Sequence, residues 1–259
     1  MSTAEELQAP GPLLGPYTAA DVRPGEPYEV SDGFLIECMG TGQRGSRSNG
    51  SGFMVLDSDP DAPAAGVDPG ISPVPSMLRA PGIAVGGLGD EPGWSPTAPP
   101  LCVEYADRGQ DNDDLQKKIL ELMRFGTRFV WVVRMSGPRR VEVHEPGKPV
   151  RVVGPNDVLT APGVLKNPVP VVALYDRDAA HQQTLKNLLQ RYGYEGLDAV
   201  RDAGRLVEAR AALRRVLARR KLALSAGEEA RIEACADLAE LERWHDQAID
   251  AASAADALR

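Results

Sequence analysis

The sequence predicts an α/β domain followed by an all-α C-terminal module, and three observations carry this reading. Two continuous apolar runs, Leu101-Cys102-Val103-Glu104-Tyr105-Ala106 and Phe129-Val130-Trp131-Val132-Val133, have the length and β-branched content of buried strands. Between them, Asp114 as a cap, the apolar positions Leu115, Ile119, Leu122 and Met123, and Gly126 as a stop mark an amphipathic helix. From about Asp176 onward the chain turns helical in character.

The elements follow in order. Residues 1–24 are rich in Ala, Pro and Gly, and residues 1–16 are expected to be a flexible arm. Tyr28 to Met39 reads as a hairpin, because Asp32-Gly33 is a strong turn signal between two apolar runs. Residues 40–52 are polar and basic, with Arg44 and Arg47, and predict a loop or shortened helix; residues 53–56 predict a short strand. Residues 57–100 are dense in Pro and Gly, which predicts short strands and long turns. A polar loop is expected over 107–113, a hairpin partner over 140–144, a further strand over 150–153 and a surface wrap over 158–174. Helices are predicted over 181–191, 197–222 and 226–252, the last opening on the capping-box pair Ser225 and Glu228. The expected domains are therefore 17–175 and 176–259.

The 259 residues suffice for one sizeable core and a smaller appendage, and 42% hydrophobic with 25% charged residues is the balance of a soluble globular protein. A net charge of −8 argues against bulk coating of nucleic acid or anionic membrane, while leaving room for a local basic groove. Cys38, Cys102 and Cys235 are too few and too scattered for a disulfide framework or zinc cluster, and read as buried, inert thiols. The N-terminus lacks a signal peptide's basic and apolar regions, and no apolar run is long enough to span a bilayer; a cytoplasmic protein is expected.

Glu104 is the informative residue. A carboxylate on an apolar strand is costly to bury without a cation or a metal, and the following helix supplies Lys117 and Lys118. Metal-assisted phosphodiester cleavage needs hard oxygen ligands and a cation near the phosphate or the attacking water. The same residues would equally form a buried ion pair with no catalysis.

Residues 98–104, Asp114-Leu115-Gln116-Lys117-Lys118 and Phe129 to Val133 together resemble the Uma-two family of candidate restriction endonucleases, within the PD-(D/E)XK nuclease superfamily. Glu29 with Asp32-Gly33 resembles that family's hairpin, and residues 66–71 followed by Arg79-Ala80-Pro81 resemble its next strand and the approach to its Pro-Asp. The resemblance covers about residues 17–175. It implies a restriction-endonuclease-like mixed sheet with flanking helices and divalent-metal-dependent cleavage of DNA. By the same resemblance Glu104 would hold Mg²⁺ or Mn²⁺, and Lys118, moved from strand to helix, would orient water or steady the phosphate charge, with Lys117 beside it. Ala106 then stands at the usual lysine position. The family's Pro-Asp falls on Pro81-Gly82, and glycine cannot ligate metal; Asp68 or Asp90 would have to substitute, with Glu29 a further acid at the edge.

Other residues carry blander readings. His144 and His181 read as surface residues, His245 as packing beside Trp244, Trp131 as core, and Trp94 as a loop residue open to solvent. Residues 205–221 are strongly basic, with an amphipathic stripe of Leu206, Leu213, Val216 and Leu217. This helix would pair with the acidic one downstream, contact DNA phosphates through Arg214 and Arg215, or join copies of the chain into a homo-oligomer, most simply a dimer. Two functions therefore compete: a Mg²⁺-dependent DNA endonuclease, and a degenerate nuclease fold that binds DNA or scaffolds an assembly through its C-terminal helices.

Overall fold

The computed structural model describes residues 15–38, 40–107 and 112–259. All but the last two residues of the expected arm, and residues 108–111 of the expected polar loop, lie outside that description. The chain forms two compact units that divide between Arg191 and Tyr192.

The first unit opens with the hairpin β1 (Tyr28–Ser31) and β2 (Phe34–Glu37), whose turn residues Asp32 and Gly33 both have positive φ, 49° and 81°. Then come α1 (Gln43–Asp57), β3 (Ala65–Val67), β4 (Ile83–Val85), β5 (Leu101–Ala106), α2 (Asn112–Arg124), β6 (Phe129–Arg134), β7 (Arg140–His144) and β8 (Arg151–Val153). Strands β3 to β8 form one sheet in chain order. Every pairing is antiparallel except β5 with β6, which run parallel because α2 carries the chain back between them. The sheet is therefore mixed, with flanking helices. A small pair, β9 (Val158–Leu159) and β10 (Val169–Pro170), and helix α3 (Arg177–Arg191) complete the unit.

The period-two alternation of β5 sorts its side chains onto two cores. Leu101, Val103 and Tyr105 pack with Val55 and Leu56 of α1 and with Trp131. Cys102 and Ala106 pack with Leu115, Ile119 and Leu122 of α2. Glu104 shares the parity of Cys102 and Ala106, and this places it under α2.

Helix α1 settles the choice between loop and shortened helix over 40–52 in favour of a helix, and corrects the strand expected over 53–56. Its glycines and serines are poor helix formers, but at Gly52 tertiary packing requires glycine: a Cβ there would collide with the Tyr105 hydroxyl and lie 3.1 Å from Ile83 Cδ1. The helix that Asp114 was expected to cap begins earlier, so Asp114 stands in its first turn, and Gly126 follows its end with φ 118°.

The second unit holds α4 (Leu197–Arg219), α5 (Ala226–Ala234), α6 (Leu238–Asp250) and α7 (Ala254–Ala257) around Leu213, Leu217, Ile232, Leu241 and Trp244. The single helix expected over 226–252 is in fact two. Asp237 caps α6 by accepting from the Ala239 and Glu240 amides, which breaks the chain after Cys235. The capping box of Ser225 and Glu228 is formed. Among the described residues, no helix is long and apolar enough to cross a membrane. Cys102 and Cys235 are buried but Cys38 is exposed, against expectation. His144 is buried rather than superficial, because β7 presents it to the α2 side of the sheet.

Candidate active site

Glu104, from β5, and Lys118, from α2, converge: the ammonium lies 3.0 Å from Glu104 Oε1. Lys118 Nζ also donates to Glu29 Oε1 at 2.9 Å and to the Ala80 carbonyl at 2.6 Å. The ammonium is thus held by oxygens from three segments, two by hydrogen bonds and Glu104 by an ion pair. Glu104 and Lys118 are 5% and 9% exposed, so the pair is close to sealed. Glu104 Oε1 has the ion pair but no aligned hydrogen bond.

Glu29, read as an acid at the site's edge, is instead buried at its centre and bridges two cations. Its Oε1 accepts from Lys118 and the Ala80 amide, and its Oε2 from Arg79 Nη1 at 3.0 Å. Arg79 is fully buried; it reaches Asp114 Oδ1 at 3.2 Å and donates from Nε to Glu121 Oε2 at 2.5 Å. Glu121 in turn accepts from the Ser31 hydroxyl. Arg79 and Glu121 were not singled out in the sequence, although Asp114, Lys118 and Glu121 follow a 4–3 spacing that puts them on one helix face.

The electrostatics follow from burial with unequal charge, since Glu29, Glu104, Asp114 and Glu121 face two cations. Burial pushes Glu29 up, but Lys118 and Arg79 outweigh it and hold the carboxyl below its ordinary value. Burial dominates at Glu104, where Lys118 opposes and Glu29 and Asp68 add, so its carboxyl is raised. Burial alone would lower Lys118, but Glu104 and Glu29 reverse this and keep it cationic. Asp68 is exposed as a residue, but desolvation of its carboxyl raises it too, against the pull of Lys118.

No protein-family model and no curated protein matches the chain. A solved structure does: a candidate nuclease of family DUF820 from Anabaena variabilis, 18% identical, with a TM-score of 0.53 over 64% of this chain and 99% of that one. The fold is nuclease-like.

Within this nuclease-like fold, the other sequence-derived residues are placed as follows. Asp68 directly follows β3 with φ 50°, is exposed, and donates its amide to the Gly82 carbonyl. Asp90 lies on an exposed bend. Lys117 points away from Glu104 and pairs with Asp32 of the hairpin turn at 3.1 Å. A Cβ at Gly82 would meet Val103 O at 3.2 Å and Asn49 Nδ2 at 3.5 Å, so a side chain there starts toward α1. Arg44 pairs with Asp107, and Arg47 is exposed on α1. Arg214 pairs with Glu229 and Glu233, and Arg215 with Glu208. Trp131 is core, and Trp94 is half-buried, donating to the Ala19 carbonyl. Cys38 is exposed as a residue, but partial desolvation of its thiol and the Glu29 charge push it up to about 11, so it is a poor nucleophile at neutral pH.

Hard oxygen donors fit a divalent ion. Glu104, Glu29 and Asp68 supply carboxylates, and Glu104 Oε1, ion-paired to Lys118 but with no aligned hydrogen bond, keeps lone-pair capacity for a cation. Among the described residues, however, no three His, Cys, Asp or Glu side chains form a ready-made metal cluster. Mg²⁺ commonly uses one or two carboxylates with water and substrate oxygens, which is the smaller demand this site meets.

Proposed function

We propose that the chain is an endonuclease that cleaves DNA phosphodiesters with Mg²⁺ or Mn²⁺. The observation that carries this reading is the convergence of Glu29, Lys118 and Glu104 in a nuclease-like fold. Glu104 and Asp68 would hold the ion, which when bound supplies charge for the phosphate and a more acidic water. Lys118, kept cationic by its two carboxylates, is suited to offset charge on the scissile phosphate. Arg47 offers an exposed guanidinium for backbone phosphates, and Arg44 would exchange its Asp107 partner for one. The assay is nicking of supercoiled plasmid with each metal. Wild type should nick, and Glu104→Gln and Lys118→Met should not, while circular dichroism shows that both remain folded. A folded wild-type protein that leaves the plasmid intact at every metal concentration would overturn the proposal.

A second reading is a degenerate nuclease fold that binds DNA without cutting it, and two observations favour it. The Lys118 ammonium is already held by Glu29, Glu104 and the Ala80 carbonyl, and Gly82 removes one acid. DNA binding in EDTA that survives Glu104→Gln, together with no cleavage, would support this reading. Cleavage gained by Gly82→Asp would mean that only that ligand was missing.

A further inference from the structure

Helix α4 is apolar on two faces. One face, Leu206, Ala209, Leu213, Val216 and Leu217, packs into the second unit's core. The other carries Leu197, Val200, Gly204, Val207 and Ala211 at alternating spacings of three and four, the repeat of a coiled-coil seam. Leu197 and Val207 on that face are 61% and 63% exposed, and Val200 is 37% exposed. A second apolar stripe on a helix whose first face is already buried is an unfilled contact.

We infer that this stripe pairs antiparallel with the same stripe of a second copy of the chain. The charges beside the seam select both occupant and direction. Arg201 and Glu208 flank it on the same side, seven residues apart. In a parallel pair the residues on one flank of the seam do not meet their equivalents. In an antiparallel pair about a twofold axis between them, Arg201 meets the partner's Glu208 and Glu208 meets the partner's Arg201, so one contact is made twice. The same register sets Val207 against the partner's Gly204 and Val200 against the partner's Ala211, large against small, which lets the helices approach closely. The present partners of these charges, Asp198 for Arg201 and Arg215 for Glu208, are solvent-exposed pairs on the same helix and are easily exchanged.

Sedimentation of the full chain across a concentration series tests this, with circular dichroism as the control for helix content. Wild type should show a reversible dimer. Val200→Glu with Val207→Glu should run as a monomer of unchanged helicity. Arg201→Glu alone should weaken the dimer by about tenfold or more, because it sets like charges together twice. Arg201→Glu with Glu208→Arg should restore it. A wild-type monomer at every concentration, or a dimer indifferent to the valine substitutions, overturns the inference. A dimer lost with the valines but not restored by the charge exchange overturns the antiparallel register.

Discussion

Lys118 is held by three oxygens in a nearly dry site, and this fixes what its removal does. Lys118→Met leaves Glu29 and Glu104 buried without their shared cation and should cost about 3–5 kcal/mol, read by urea denaturation. Adding Glu104→Gln removes one stranded charge and should recover part of that loss. The two carboxylates have opposite pH signatures. Glu29 sits below its ordinary value of 4.5, so its contribution is complete at neutral pH and disappears as pH falls through the depressed folded value. Glu104 sits above 4.5, so its contribution is complete in acid and fades as pH rises through its folded value. Urea midpoints across pH should therefore show Glu29→Gln flattening the acid limb and Glu104→Gln gaining on wild type as pH rises. Of these residues, Glu104 and Lys118 were legible in the sequence, because an acid in an apolar strand followed by a lysine-bearing helix is a local pattern. Arg79 was not, since its partners lie 50 residues before it and 42 after.

Helix α1 shows where local propensity fails. Its glycines are disfavoured in a helix, yet Gly52 is required where the helix presses on Tyr105. Gly50, two residues earlier, faces open space. Gly52→Ala should destabilise by about 1–3 kcal/mol through overpacking, and Gly50→Ala should stabilise by about 0.5–1 kcal/mol through reduced backbone freedom; thermal melts of the two would differ in sign. The break between α5 and α6 rests on a capping side chain that the sequence does display. Asp237→Ala should cost about 1 kcal/mol, measurable by chemical denaturation. That break went unread because apolar residues continue on both sides of it. The β5–α2–β6 passage was legible because there strand length, helix period and Gly126 all agree.

The two units carry separate hydrophobic cores, and calorimetry of the intact chain should resolve two transitions. Under the nuclease proposal, Mn²⁺ should raise the transition of the unit containing Glu104 and leave the other in place. The mixed sheet was legible only through resemblance, since periodicity does not say which strands are neighbours. Helix α3 joins the first unit, although composition changes at Asp176, because its Asn187 is buried and donates to Val55 O and Ser58 Oγ of the α1 region. The hairpin has a last consequence. Its Glu29 and Ser31 contact α2 residues 89 and 90 positions downstream, whereas β5, α2 and β6 are contiguous. Bringing such distant segments together is slow compared with local assembly. A refolding chain should therefore bury Trp131 before its acidic cage closes. Under the nuclease proposal, catalytic competence would then be the last property a newly made molecule acquires.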